Sequence, residues 1–208
     1  MKLLLPLALL PAVALSPAPE TAAPAADDAV TLDFEDDELP AGWRLSSKKW
    51  RIAEGELRGT GSGYLEYSVP QQGAFTLTFD AWTEEKANVE VKLFHADREE
   101  ELFTFAFLGS YHSVLDGPKS CMLQGNRFVH VDSRTWIFPG RFFEFEVRSA
   151  RNQYQMFLNQ ELGPFWVDEN PPEEEPSWRL RILFGPETER DSVRIDDVRF
   201  VPGKQSRR

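Results

Sequence analysis

The alternation of apolar and polar side chains in residues 141–162 constrains the fold of this chain more than any other feature of its sequence. The first part, FFEFEV, places apolar residues at every second position with charged residues between them. After a polar link at residues 149–152, the alternation resumes in QYQMFL. A period of two interrupted by a short polar turn predicts an antiparallel hairpin with one buried face.

The same alternation recurs along most of the chain, in short segments separated by turn residues. We predict an opening strand at residues 32–35, a strand that is apolar on both faces at 102–108, and a closing strand at 193–201. Residues 161–176 contain glycine and several prolines, so we expect a long connection there. With no convincing amphipathic helix, the pattern predicts an all-β sandwich or barrel.

Charge and composition exclude one class of partner. The chain has 34 acidic and 23 basic side chains and a formal net charge of −11. Nucleic acid favours a basic surface, so we expect no nucleic-acid partner. Sixteen phenylalanines and six tryptophans are enough for a substantial apolar core.

Residues 1–28 are predicted to be a signal peptide followed by a leader rich in alanine and proline. Met1 and Lys2 precede the apolar run LLLPLALLPAVAL, which has the length of a signal-peptide core and is too short for an ordinary membrane span. We therefore expect export to the periplasm or the extracellular space, with cleavage between Leu15 and Asp28. The alternative is a retained N-terminal anchor.

Cys121 is the single cysteine of the sequence, so no intramolecular disulfide can form. We interpret it as a small apolar filler on a strand or loop rather than as a catalytic thiol.

Three segments in order along the chain resemble the concanavalin A-like, laminin-G-like jelly roll. They are FEDDELPAGW with the later KKWRIAEGELRG, the hairpin GRFFEFEVRSARNQYQMFLNQEL, and the closing VRIDDVRFV. The pattern is similar to the sandwiches of the family 16 glycoside hydrolases and the 3-keto-disaccharide hydrolases. The resemblance implies a jelly-roll β-sandwich of two antiparallel sheets over residues 29–202. The basic residues that follow predict a disordered tail at 203–208.

The catalytic motifs of those two enzyme families are absent from the sequence. Retaining glycoside hydrolysis needs two carboxyl groups about 5 Å apart. Glu144-Phe145-Glu146 offers two carboxylates on one face but lacks the Asp and the third acid of the family 16 motif. We interpret both acids as a solvated strand face that pairs with arginines such as Arg179 and Arg181. No catalytic residue is therefore predicted.

The resemblance also implies a structural calcium ion where the first and last strands meet. Glu35 and Asp197 (or its neighbour Asp196) belong to those strands and carry the oxygen ligands that calcium prefers. The alternative is that these acids accept hydrogen bonds from loop amides or face solvent.

Trp136, Trp166, Arg134 and Arg148 are the predicted ligand-binding residues. Both tryptophans fall in predicted connections, where an indole ring can stack on a sugar while a guanidinium group contacts its hydroxyls. Alternatively, the tryptophans fold back onto the rim of the sandwich. We expect an exported, non-catalytic domain that binds a glycan. The alternatives are a divergent glycoside-processing enzyme and a structural cell-envelope domain without a small ligand.

Overall fold

The computed structural model describes residues 29–109, 119–132, 137–186 and 188–203. The predicted signal peptide and nearly all of the predicted tail lie outside these ranges. The described residues form fifteen strands: β1 Val30–Leu32, β2 Trp43–Leu45, β3 Arg51–Ala53, β4 Glu56–Thr60, β5 Gly63–Gln71, β6 Phe75–Thr83, β7 Ala87–His95, β8 Glu101–Leu108, β9 Ser120–Gln124, β10 Arg127–Asp132, β11 Phe142–Ala150, β12 Gln153–Leu158, β13 Glu161–Val167, β14 Trp178–Pro186 and β15 Ser192–Pro202.

These strands form two antiparallel sheets, and neither sheet closes into a barrel. Sheet 1 has eight strands in the order β13-β12-β11-β6-β15-β4-β3, with β1 paired to β15 outside this path. Sheet 2 has seven strands in the order β10-β9-β8-β7-β14-β5-β2. The predicted β-sandwich of two antiparallel sheets is confirmed.

The predicted hairpin is strands β11 and β12, paired from Phe145 opposite Leu158 to Ala150 opposite Gln153. The apolar face of this hairpin points into the core, because every second residue of β11 from Phe143 onward is buried. Phe145 stacks on a phenylalanine of β6 and meets Phe107 of the facing sheet edge-on at 4.9 Å. Aromatic contacts of this kind join the two sheets.

The first and last strands meet as expected, because Leu32 of β1 lies opposite Val198 of β15. The first strand, however, is Val30–Leu32 and not residues 32–35, so Glu35 follows the strand. Asp197 lies at an irregularity of β15 and has a positive φ of 48°. At this bulge, consecutive side chains of β15 no longer alternate regularly between the two faces of the sheet.

Residues 161–176 are not one long connection, because their first part is strand β13. Gly163 and Pro164 suggested a loop, but β13 is the edge strand of sheet 1. Proline is tolerated in an edge strand because the missing N–H can face away from the ladder. Trp166 therefore lies on a strand.

The described part of the chain contains no helix. Accordingly, none of its segments is a helix of the length and apolarity that crossing a membrane requires.

Candidate functional site

The outer face of sheet 2 has deeply buried charged residues, although their side chains point away from the core. On β5 and β14 the core residues alternate with Glu66, Arg179 and Arg181. Glu66 is 0 % exposed, and the two arginines are 7 % and 8 % exposed. Outward-facing side chains of a two-layer sandwich are normally solvated. Neighbouring side chains therefore shield these three charged groups from solvent on the outer face of sheet 2.

Glu66 lies at the centre of a group of ion pairs, which we call the arginine network and define as Arg44, Glu66, Glu99, Arg179 and Arg181. Arg179 Nη1 donates to Glu66 Oε1 at 3.0 Å, and Arg44 Nη2 donates to the same oxygen at 2.6 Å. Arg181 Nε donates to Glu66 Oε2. Both carboxylate oxygens of Glu66 are thus bound by guanidinium groups, so the buried charge is compensated.

Glu99 completes the arginine network from the turn between β7 and β8. Its carboxylate accepts from Arg179 Nη2 and, at 2.9 Å, from Arg181 Nη2. Its side chain is 65 % exposed, so Glu99 is the member that water reaches most easily. Arg179 Nη2 also donates to the carbonyl of Arg98, and Arg179 Nε donates to the carbonyl of His95. The turn and β14 are therefore joined through the backbone as well.

Burial and ion pairing act in opposite directions on the pKa of Glu66. Burial alone would raise this pKa, but the hydrogen bonds from Arg181 and Arg179 outweigh it and lower the pKa below its usual value. The pKa of Glu99 is also lowered, first by its hydrogen bond from Arg179. Both carboxylates are ionised at neutral pH, and neither has the raised pKa of a general acid.

Two aromatic rings border the arginine network. The Arg181 guanidinium carbon lies 4.6 Å from the centroid of the Tyr64 ring and 4.3 Å from that of Phe94. Both rings are partly exposed. Such contacts fix the orientation of a guanidinium plane. Next to them, Lys92 Nζ bridges two further carboxylates, at 3.2 Å from Glu90 and 2.9 Å from Glu101.

The expected pairing of Arg179 and Arg181 with Glu144 and Glu146 is wrong. Both arginines lie on sheet 2, whereas β11 with its two glutamates belongs to sheet 1. Glu146 instead pairs with Arg148 two residues along its own strand. Alternation fixes which face of a strand is polar, but it does not say which sheet the strand joins.

The outer face of sheet 1 carries an acidic row, which we define as Glu144, Asp80 and Asp196. The three residues lie directly opposite one another on β11, β6 and β15. Burial and then the charges of Asp197, Glu144 and Asp196 raise the pKa of Asp80. Burial also raises the pKa of Asp196, and the charges of Asp197 and two glutamates add to the effect. Like charges opposite one another in a sheet are destabilising.

Of the four predicted ligand-binding residues, Arg134 and Trp136 lie outside the described residues. The other two lie on opposite faces of sheet 1. Trp166 faces inward, where its ring lies 5.7 Å from the ring of Phe103 in sheet 2 and packs against the core. Arg148 faces outward over the ring of Phe157 at 4.5 Å. The fold does not bring Arg148 and Trp166 together in one site.

Glu35 and Asp197 are the two residues predicted to bind calcium. Glu35 and Asp197 both contribute to the electrostatic environment of Asp196. Yet no group of three or more His, Cys, Asp or Glu side chains among the described residues is placed to hold a metal ion. Calcium favours six to eight oxygen ligands. Calcium binding at Glu35 and Asp197 therefore stays a prediction from the sequence.

Cys121 is buried on β9, and it is the free cysteine of the described chain. Burial raises the pKa of its thiol to about 12, so the thiol stays protonated at neutral pH. A protonated, buried thiol is a poor nucleophile.

The sandwich is similar to carbohydrate-recognition and glucanase structures. The carbohydrate recognition domain of Emp46p in its potassium-bound form matches with a TM-score of 0.66 and 9% identity over 86% of this chain and 98% of that one. The concanavalin A-like jelly roll is the fold of this chain. Lectin I-B4 from Griffonia simplicifolia, in a metal-free form, matches with a TM-score of 0.61 and 13% identity over 83% and 98% of the two chains.

SCLam, a non-specific endo-β-1,3(4)-glucanase of family 16, has the same jelly roll. It matches with a TM-score of 0.61 and 10% identity over 86% of this chain and 92% of the glucanase. No family model matches the sequence, and no curated protein matches it. The similarity to all three structures, which is far below 25% identity, concerns the jelly roll alone. The predicted resemblance to the concanavalin A-like jelly roll is confirmed.

Proposed function

We propose that this jelly roll binds a glycan, without cleaving it, on the outer face of sheet 2 beside the arginine network. The observation that carries the proposal is the arginine network, in which Glu66, Arg179 and Arg181 are buried on a face that points away from the core. Burying an ion pair often contributes nothing to stability compared with apolar residues of the same size. A buried network on an outer face therefore favours a role in recognition.

The chemistry of this face suits a saccharide. A sugar presents hydroxyl groups that need fixed donors and acceptors, and apolar C–H faces that pack on aromatic rings. The network offers oriented guanidinium and carboxylate groups, and the rings of Tyr64 and Phe94 lie beside it. Because Arg181 is held between these rings and Glu66, its geometry is set before a ligand arrives.

Binding rather than cleavage is favoured by the protonation of the network. A glycoside hydrolase needs one carboxyl group that is protonated near neutral pH to donate a proton to the leaving group. Ion pairing lowers the pKa of Glu66 and Glu99 instead. Hydrolysis of a saccharide by the native protein, lost on replacement of Glu144 or Glu146, would establish the enzymatic alternative.

A glycan array followed by affinity electrophoresis in the polysaccharide of the best hit tests the proposal. We expect Tyr64→Ala to weaken retention at least about fivefold, since removal of a well-packed aromatic contact commonly costs more than about 1 kcal/mol of binding free energy. Trp82→Ala is the matched control, because this ring also lies under a guanidinium group, that of Arg194 at 4.5 Å, but on the outer face of sheet 1. An array without any bound glycan, or equal loss in both variants, would contradict the proposal.

We also propose that the protein is exported, on the basis of the predicted leader in residues 1–28. Intact-mass analysis of the periplasm and the culture medium should find a chain that begins between Leu15 and Asp28. Recovery of the full-length chain from the cytoplasm alone would refute export. The roles predicted for Trp136 and Arg134 are tested with the same binding assay, by alanine substitution of each.

A further inference from the structure

In the arginine network, positively charged groups outnumber the negatively charged ones. Three guanidinium groups, those of Arg44, Arg179 and Arg181, surround the single buried carboxylate of Glu66. A buried charge is stable only when it is paired. Arg179 and Arg181 therefore need a second anion, and in the free protein Glu99 supplies it from the surface.

Glu99 differs from Glu66 in how firmly it is held. The Glu66 side chain has no exposed surface, whereas 65 % of the Glu99 side chain is exposed. The turn that carries Glu99 is fixed by its backbone, because the His95 N–H donates to the Glu100 carbonyl at 2.9 Å and the Ala96 N–H donates to the Ser177 carbonyl at 3.0 Å. Glu99 can thus leave the two arginines by side-chain rotation alone, without movement of the turn.

The carboxylate of Glu99 also defines the shape of the anion that the two arginines accept. One of its oxygens accepts from Arg179 and Arg181 together, and the other lies 2.8 Å from Arg181 Nη2. Planar guanidinium groups match the two oxygens of a carboxylate. When Glu99 rotates away, its place is left open to a planar, singly charged group that arrives from solvent.

We infer that Arg179 and Arg181 form a carboxylate subsite, which Glu99 occupies in the free protein and from which an acidic sugar displaces it. The ligand class is a glycan that contains uronic acid, whose ring carboxylate replaces that of Glu99 while the sugar ring lies towards Tyr64 and Phe94. This inference rests on the proposed function and specifies its substrate class. Glu99 acts as an internal competitor, so it lowers the affinity for acidic glycans, whereas a neutral glycan does not compete with it for the two arginines.

The test uses oligosaccharides of galacturonic, glucuronic and guluronic acid, each paired with its carboxyl-reduced, neutral counterpart. We expect the native protein to bind at least one acidic oligosaccharide more tightly than its reduced form in isothermal titration calorimetry. Glu99→Ala should raise the affinity for that acidic oligosaccharide about fivefold, which corresponds to about 1 kcal/mol, and the reduced form should show no such gain.

Glu100→Ala is the matched control. Glu100 has a similarly exposed side chain and pairs with Arg98 at 2.7 Å, so its replacement removes the same charge one residue away from the subsite. We expect this variant to bind like the native protein. If general repulsion of an acidic ligand were responsible, both variants would gain affinity equally, and that result would overturn the inference.

Thermal unfolding of Glu99→Ala is a second measurement, because this variant leaves Arg179 and Arg181 without their second anion and is expected to be less stable. We expect this variant to melt below the native protein and to regain more stability than the native protein on addition of the acidic oligosaccharide. Neutral glycans that bind while acidic ones bind no better would overturn the inference and leave the proposed function in place. Absence of binding by any oligosaccharide and any glycan of the array would overturn both.

Discussion

On the two outer faces of the sandwich, the pKa of a carboxyl group is shifted in opposite directions. On sheet 2, Glu66 is fully buried but bound by three arginines, and its pKa is lowered. On sheet 1, Asp80 lies between Glu144 and Asp196 in the acidic row, and its pKa is raised. Both faces arise from the same alternation of apolar and polar residues. What differs is the charge of the residues that pairing places next to each carboxylate.

The comparison shows that burial by itself does not set the protonation of a carboxylate. Burial disfavours the charged form of Glu66 and of Asp80 alike. The neighbouring charges reverse the effect of burial on sheet 2 and add to it on sheet 1. Stability is therefore expected to depend on pH in opposite directions for the two faces.

Breaking the network is expected to have the largest effect. Glu66→Gln leaves two buried guanidinium groups without their central anion, which typically costs about 3–5 kcal/mol. For a domain of this size we expect the melting temperature to fall by on the order of 10 °C. Glu146→Gln is the control on sheet 1, because Glu146 pairs only with the partly exposed Arg148 among the contacts of the described chain; its effect should stay below about 1 kcal/mol. Equal losses in the two variants would contradict the distinction between the faces.

Neutralising the centre of the acidic row should have a smaller and opposite effect. Asp80→Asn removes repulsion from Glu144 and Asp196, so at pH 7 we expect stabilisation by about 0.5–1 kcal/mol in chemical denaturation. A decrease in stability at pH 7 would show that Asp80 has a favourable partner.

The gain from Asp80→Asn should depend on pH with a definite sign. Because the folded-state pKa of Asp80 is raised above 3.8, the native protein gains stability as the pH falls through that raised pKa, and the gain is complete below 3.8. The advantage of the variant should fade over the same interval. The lowered pKa of Glu66 acts the other way, since its contribution is lost as the pH falls below 4.5 and through the folded-state pKa. Parallel stability profiles of the variant and the native protein would refute this assignment.

The two outer faces should also differ in how their stability responds to salt. Repulsion within the partly exposed acidic row is screened as the Debye length falls from about 30 Å at 0.01 M to about 3 Å at 1 M salt. We expect NaCl over this range to stabilise the native protein by a few tenths of a kcal/mol more than Asp80→Asn. The buried Glu66 pairs should respond much less. An equal response of both proteins to salt in thermal unfolding would show that the row is already neutralised.

Removal of calcium by a chelator tests whether a calcium ion binds at Glu35 and Asp197. If no calcium binds at Glu35 and Asp197, the melting temperature will be the same with and without a calcium chelator. If calcium at a hundredfold excess over its dissociation constant binds at Glu35 and Asp197, chelation will instead cost about 2.7 kcal/mol. Asp197→Asn should then remove the sensitivity, and asparagine is suitable here because it tolerates the positive φ of this residue.

Local patterns in the sequence predicted where most strands lie, but they predicted the first and last residues of each strand less well. The hairpin of β11 and β12 was predicted because six or more residues alternate strictly around a short polar link. Strand β13 was missed because proline and glycine are also turn residues, and only its position at the sheet edge makes them acceptable. Likewise, the alternation in β14 predicted Arg179 and Arg181 on a polar face but not their partners.

Local alternation was enough to predict the all-β class and the apolar face of each strand, because alternation is a property of neighbouring residues. The candidate site depends instead on contacts between distant segments. Arg179 meets Glu66 across 113 residues of sequence, and Glu99 reaches both arginines only through the turn between β7 and β8. The charge environment of a carboxylate depends on which strands lie side by side. That order follows from the packing of the whole core, so no single segment contains it.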